Sequence, residues 1–152
     1  MPQRASVAQM VEHDHEVLHR TLHELAAYLA APPPVEGFPA WKLDLLWQLR
    51  DFQNSLQKHF DLEEEGAYKQ ELLRLAPQFA GQINHLEEEH RKIVFDLTHI
   101  LDTVKGIYTP DNPVMDRVRV RFQAVLECLE AHESQERTLI QDVFYQDYGV
   151  GD

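Results

Sequence analysis

Apolar residues recur along the chain at alternating spacings of three and four, which predicts helices rather than strands. Helix-breaking prolines and glycines cluster between these stretches, around 32–39, 66–81 and 106–113. Asn112 followed by Pro113 is an order typical of a helix N-terminus. We therefore predict a short helix near 67–75 and four long helices, at about 5–31, 39–65, 78–108 and 113–147.

Four long helices joined by short connections are typical of an antiparallel up-down-up-down bundle. No fixed-period repeat or low-complexity tract divides the chain, so we predict an all-α fold with residues 1–152 in a single domain. The alternating spacing marks the face of each helix that turns inward. The apolar members of these faces are Val11, Leu18, Leu22, Leu25 and Leu29; Leu45, Leu49, Phe52 and Leu56; Ile83, Leu86, Val94, Leu97, Leu101 and Val104; and Val118, Phe122, Val125, Leu129, Leu139 and Val143.

Polar residues interrupt each of the four inward faces where an apolar residue is expected. A buried polar side chain costs several kcal/mol unless it is paired or bound to metal. One such histidine is more often a hydrogen-bonded core residue than a ligand, but one on each of four helices favours a metal site. The interrupting residues are His15, His59 with Glu63, His90, and His132 with Glu136.

The four histidines are also predicted to lie at one level of the bundle. From the end that carries the loops at 32–39 and 109–113, they lie roughly 24–29 Å along their helices at 1.5 Å per residue. Glu63 and Glu136 each follow a histidine by one turn on the same face, where they could bridge two metal ions. Imidazole and carboxylate ligands leave iron, manganese or zinc as the candidate metals.

Composition excludes several other classes of protein. The chain has 14 Lys and Arg against 26 Asp and Glu, a formal charge of −12, which argues against nucleic-acid binding and against docking on an anionic membrane. Cys128 is the only cysteine, so no intrachain disulfide and no cysteine-rich zinc site can form. Because we find no signal-peptide pattern and no apolar run of membrane-spanning length, we expect a cytoplasmic protein.

Five further histidines fall outside the inward faces and are expected at the surface or its boundary. His19 lies one turn from His15, and its alternative role would be that of a substitute ligand or an outer partner of the site. Glu64 and Glu89 adjoin predicted ligands and could orient them. The five histidines are His13, His19, His23, His85 and His99.

Four segments together resemble the hemerythrin-like, or HHE cation-binding, domain. They are EHDHEVLHRTL around His15, HFDLEE from His59, LEEEHRKI around His90 and HESQER from His132. A single HxxxE pair arises easily on a helix, but the ordered set spans essentially the whole chain. The resemblance implies a hemerythrin-like bundle that holds two Fe ions in a non-haem di-iron centre, with bridging Glu63 and Glu136 among the ligands His15, His59, Glu63, His90, His132 and Glu136.

Two positions depart from the oxygen-carrying hemerythrins. Those proteins have a second histidine one turn before the third-helix ligand, where this chain has Leu86. They also have an aspartate five residues after the last histidine, whereas Glu136 follows His132 by four. One protein ligand fewer leaves an open metal position, which favours reactivity or sensing over plain oxygen carriage.

Several functions are compatible with such a site. We expect a protein that binds or senses O2 or NO, or that handles iron. The alternatives are a di-iron enzyme that acts on peroxide or nitric oxide, and a zinc-stabilised or metal-free helical interaction protein. The motifs do not separate an enzyme from a binding protein, and they do not define an oligomeric state.

Overall fold

A computed structural model describes the backbone of residues 2–65 and 67–145 and the side chains of residues 9–65 and 67–143. No strand occurs in these ranges. A 3₁₀ turn (Pro77–Phe79) precedes the fourth α-helix, and a π-helical turn (Gln141–Tyr145) follows the fifth. The α-helices are α1 (Pro2–Ala30), α2 (Phe38–Glu65), α3 (Ala67–Leu75), α4 (Ala80–Lys105) and α5 (Val114–Ile140).

The four long helices form a closed ring. Helix α1 packs against α2 and α5, and α4 packs against the same two helices on the opposite side. Each long helix therefore neighbours the ones before and after it in the chain, as an antiparallel up-down-up-down bundle requires. The predicted all-α bundle is confirmed, and the short helix α3 packs beside the end of α2.

The predicted helix bounds differ from the structure mainly at α4 and α5. The segment predicted at 78–108 begins with the 3₁₀ turn, and its helix ends at Lys105. The segment predicted at 113–147 changes from α- to π-helical after Ile140, and positions 146 and 147 lie outside the described residues. Asn112 acts as the predicted cap, because its Oδ1 accepts a hydrogen bond of 2.9 Å from the Val114 amide.

Cationic side chains close two helix C-termini at the loop end of the bundle. Arg119 Nε donates to the Leu29 carbonyl at 2.6 Å, and Lys42 Nζ donates to the Lys105 carbonyl at 2.8 Å. Both contacts satisfy carbonyls that the helices leave unpaired, and both place positive charge at the negative end of a helix dipole. The turn into α2 passes through Gly37, whose φ of +76° suits a residue without a Cβ.

A buried polar layer divides the interior into two apolar clusters. The larger cluster contains the loop-proximal halves of the four long helices, and the smaller one contains residues such as Val11, Tyr68 and Leu139. The apolar inward positions are buried as predicted except Val94, which is half-buried, while Ile93 takes the fully buried place. The polar layer consists of His15, His59, Glu63, His90, His132, Glu133 and Glu136.

The two faces of α2 supply a matched test of this packing. Leu49 is 0% exposed, so Leu49→Ala should lower the free energy of unfolding by about 2–5 kcal/mol. Leu43 is 65% exposed, so the same substitution there should change stability by no more than about 0.5 kcal/mol. Urea unfolding followed by circular dichroism measures both. Equal losses would contradict the assigned orientation of α2.

Candidate metal centre

The six predicted ligands meet in one layer of the bundle. Helix α1 supplies His15, α2 supplies His59 and Glu63, α4 supplies His90, and α5 supplies His132 and Glu136. Each side chain is at most 5% exposed. The four histidines lie at one level of the bundle, as predicted, because the helices that carry them alternate in direction.

The six residues form two overlapping groups that could each hold a cation. His15 and His59 belong to one group and His90 and His132 to the other, while Glu63 and Glu136 belong to both. Within each group, one candidate ligand atom per residue lies within 4.8 Å of all the others. Carboxylates shared in this way have the position of bridging ligands between two ions.

Distances across the layer are close to those between ligands of one ion. The Nε2 atom of His59 lies 3.3 Å from Glu63 Oε1, and that of His132 lies 3.5 Å from Glu136 Oε2. Two ligands at about 2.1 Å from the same ion would lie roughly 3.0–3.4 Å apart. His15 Nε2 faces both glutamates, at 3.7 Å from Glu63 and 3.5 Å from Glu136.

Outer carboxylates orient three of the four imidazole rings. The Nδ1–H of His90 donates to Glu64 at 2.9 Å, and that of His132 donates to Glu89 at 3.1 Å. These tautomers follow from the hydrogen-bond network, and they direct the unprotonated Nε2 atoms into the layer. Glu64 and Glu89 thus occupy the places suggested by their sequence positions.

A third outer carboxylate, Asp14, was not predicted from the sequence. Asp14 Oδ2 lies 3.3 Å from His59 Nδ1. Asp14 is next to His15 in sequence but contacts His59 on the next helix, so only the packing of α1 against α2 reveals its partner. Asp14 could have been suggested by its position next to a predicted ligand, which is the criterion that suggested Glu64 and Glu89.

Hydrogen bonds within the protein do not satisfy this layer. Buried atoms without a hydrogen-bond partner include His15 Nδ1, His59 Nε2, both Glu63 oxygens and Glu136 Oε2. The Nε2 atoms of His90 and His132 lie 2.9 Å apart, and with both Nδ1 protons directed outward their lone pairs face each other. Because unpaired buried acceptors are costly, cations of the borderline class that bind imidazole and carboxylate fit this donor set.

The protonation states also suit metal binding. Burial lowers the pKa of His90 to about 3 and lowers the pKa of His132, so both rings are neutral near pH 7. Burial raises the pKa of Glu63, but the electrostatic influence of the nearby His15 and His59 side chains outweighs it and brings that pKa to about 2. Neutral imidazole and ionised carboxylate are the forms that coordinate metals.

A family model described as the hemerythrin HHE cation-binding domain matches residues 6–143. The chain belongs to the hemerythrin family. All six clustered residues lie within the matched range, and the bundle agrees with the family assignment. No curated protein and no solved structure matches the chain significantly. Among the helices described, none has both the length and the apolar character needed to cross a membrane.

Helix α3 covers one side of this candidate centre. The hydroxyl of Tyr68, a residue only 5% exposed, donates to Glu136 Oε1 at 3.3 Å. Burial raises the pKa of Tyr68 well above its usual value, so the phenol keeps its proton. The apolar spacing predicts a helix at 67–75, but it does not show where a short helix docks, so the contact of Tyr68 with the site could not be predicted.

A small cavity of about 20 Å³ lies between α3 and the centre. Leu86, at the position where oxygen carriers have an extra histidine, forms part of its wall beside His90. Most of the exposed wall area is apolar, and Leu72, Ile83 and Leu139 line it, although charged side chains such as Lys69 and Glu87 line it as well. The cavity is thus a small space between the polar layer and α3 whose exposed wall is mainly apolar.

The five histidines outside the layer are exposed, as expected. His19 belongs to neither of the two four-residue groups; it lies beside His23 and Glu130 on the outer surface. Glu133 is a buried carboxylate that sequence analysis missed. It is 6% exposed, and its Oε1 atom has no hydrogen-bond partner.

Acidification should destabilise the metal-free protein. Since the pKa of His90 falls from 6.5 to about 3 on folding, the unfolded chain binds more protons between these values. The contribution of neutral His90 to folding stability is complete above about pH 6.5 and is lost as the pH falls towards 3. Between pH 7.5 and 5.5, the free energy of unfolding should fall by about 1.4 kcal/mol from this group. Protonation of the Glu63 carboxylate should lower the folding stability further as the pH falls from about 4.5 to 2.

Urea unfolding of the metal-free protein at pH 7.5 and 5.5 measures this dependence. His90→Gln should reduce the difference between the two pH values, whereas His99→Ala, at an exposed histidine on the same helix, should preserve it. An unchanged difference in His90→Gln would contradict the assigned protonation state.

Proposed function

We propose that this hemerythrin-family protein is a non-haem di-iron protein that binds or senses O2 or NO. The observation that carries the proposal is the sharing of Glu63 and Glu136 by two pairs of histidines. One cation would leave one histidine pair unused in a buried layer. Two cations bridged by the glutamates would use all six side chains.

The chain's residues divide into two similar half-sites. His15 and His59 would hold one iron, His90 and His132 would hold the other, and Glu63 and Glu136 would bridge them. Iron in the ferrous state would supply open coordination positions and the electrons that a diatomic ligand accepts. Leu86 leaves the second half-site without the third histidine of the oxygen carriers, which supports ligand binding there.

The cavity beside Leu86 supports a small, uncharged ligand. A cavity needs about 10–15 Å³ to hold a water-sized molecule, and this one measures about 20 Å³. Its mainly apolar wall favours O2 or NO over a charged substrate. The charge of −12 likewise supports a small-molecule ligand rather than nucleic acid, and a cytoplasmic location stays a prediction.

Tyr68 favours binding over peroxide turnover. Its hydroxyl is the polar group that α3 brings to Glu136. General acid catalysis works best when the pKa of the acid is near the operating pH, whereas burial raises the pKa of Tyr68 well above 10. The phenol is therefore suited to hold Glu136 in place rather than to deliver a proton.

The metal content of the aerobically purified protein tests the proposal. Elemental analysis should find about two irons per chain, the number in a bridged two-metal site. His59→Ala and Glu136→Ala should each lower the iron content, while His99→Ala should leave it unchanged. Stoichiometric zinc, or no metal in the wild-type protein, would refute the di-iron assignment.

Filling the cavity tests the ligand pocket separately. Leu86→Phe should preserve iron content but weaken NO binding by at least about tenfold, equivalent to about 1.4 kcal/mol. The matched control is Leu101→Phe, because Leu101 is also buried on α4 but belongs to the larger apolar cluster. Absorption titrations of the ferrous proteins measure the affinities. Wild-type affinity in Leu86→Phe would rule out this cavity as the pocket.

A further inference from the structure

A second group of metal-binding side chains lies on the outer surface of the bundle. His23 Nε2 lies 3.0 Å from Glu130 Oε1, and His19 Nδ1 lies 3.9 Å from the same oxygen. The two histidine rings are 4.3 Å apart between centroids, with an interplanar angle of 62°. None of these three residues belongs to the buried centre.

The donor set of this group suits a divalent transition metal. Two histidines one turn apart on α1 and one carboxylate from α5 form a two-His, one-carboxylate set. Such sets hold Fe²⁺ or Zn²⁺ and leave coordination positions open to water or other ligands. The side chains of His19, His23 and Glu130 are 47%, 49% and 39% exposed, so an ion bound there would exchange with solvent.

A cavity of about 320 Å³ connects this surface group with the buried layer. His19 and Glu130 line its outer part, and His15 of the centre lines it as well. Glu133, three residues after Glu130 on α5, also lines the cavity; it is buried, and its Oε1 atom has no hydrogen-bond partner. His15 Nδ1, also buried, lacks a partner too. A cation in the cavity would give the unpaired Glu133 Oε1 atom a partner.

The net charge of the cavity wall is negative. Three carboxylates, from Glu16, Glu130 and Glu133, line the cavity together with one guanidinium, from Arg137. Concave surfaces lined by charge of one sign concentrate ions of the opposite sign. The balance therefore favours divalent cations, and the acidic residues lead from the surface towards His15.

We propose that His19, His23 and Glu130 bind a divalent transition-metal ion, and that Glu133 relays it through the cavity to the His15 side of the centre. Binding at the surface is independent of the proposed function. The relay rests on the proposed function, because it requires that the buried centre take up metal.

Cobalt titration of the metal-free full-length protein tests the surface site. Calorimetry and visible absorption should show that the wild-type protein binds one more Co²⁺ per chain than either His23→Ala or Glu130→Gln. His99→Ala, which removes an exposed histidine from α4, should bind as many ions as the wild type. An equal number of ions in the wild type and in both surface variants would overturn the site.

The loading rate of the buried centre tests the relay. Glu133→Gln keeps the shape of the side chain and should slow Co²⁺ uptake by the centre about tenfold, with the same final content. Glu88→Gln, at an exposed position on α4, is the matched control and should load at the wild-type rate. Wild-type loading in Glu133→Gln would overturn the relay, and so would a lower final content, which would assign Glu133 to positioning His15.

The two experiments separate this proposal from the proposed function. If the wild-type centre takes up no pair of ions while the surface group still binds cobalt, the di-iron assignment and the relay both fail and the surface site stands. If the centre loads normally but His23→Ala and Glu130→Gln lose no ion, the surface site fails and the proposed function stands.

Discussion

The fold depends on one constraint, the burial of seven polar side chains in a layer across an apolar interior. Two apolar clusters lie on either side of this layer. The candidate ligand side chains lie close to one another, and several of their atoms have no hydrogen-bond partner within the protein. The burial is costly without a cation, and the same burial makes a bound cation's interactions with the ligands strong.

The outer carboxylates follow the order of the helices around the ring. Asp14 on α1 contacts His59 on α2, Glu64 on α2 contacts His90 on α4, and Glu89 on α4 contacts His132 on α5. The remaining step, from α5 back to α1, is open: Glu133 and His15 each present an unpaired atom there. This gap opens into the cavity that leads to the outer surface. Carboxylates from neighbouring helices therefore orient three of the imidazole rings, whereas the fourth ring, that of His15, faces the cavity.

Sequence periodicity predicted the layer because a helix of 3.6 residues per turn places residues three and four apart on one face. That rule located His15, His90 and their partners and the helices that carry them. It did not resolve adjacent positions on a face, so Val94 was assigned the place that Ile93 occupies. Asp14, Tyr68 and Glu133 depend on which helices touch and where α3 docks, which spacing along one helix does not encode. The change to π-helical hydrogen bonding after Ile140 likewise leaves the apolar spacing intact and could not be predicted from it.

The most direct test of the central claim is anomalous diffraction from crystals of the iron-loaded protein. The shared glutamates predict two iron peaks per chain, about 3.5–4 Å apart, as in other two-metal sites. One peak should lie against His15 and His59, the other against His90 and His132, with Glu63 and Glu136 reaching both. A single iron in the layer, or iron bound only outside it, would contradict the account.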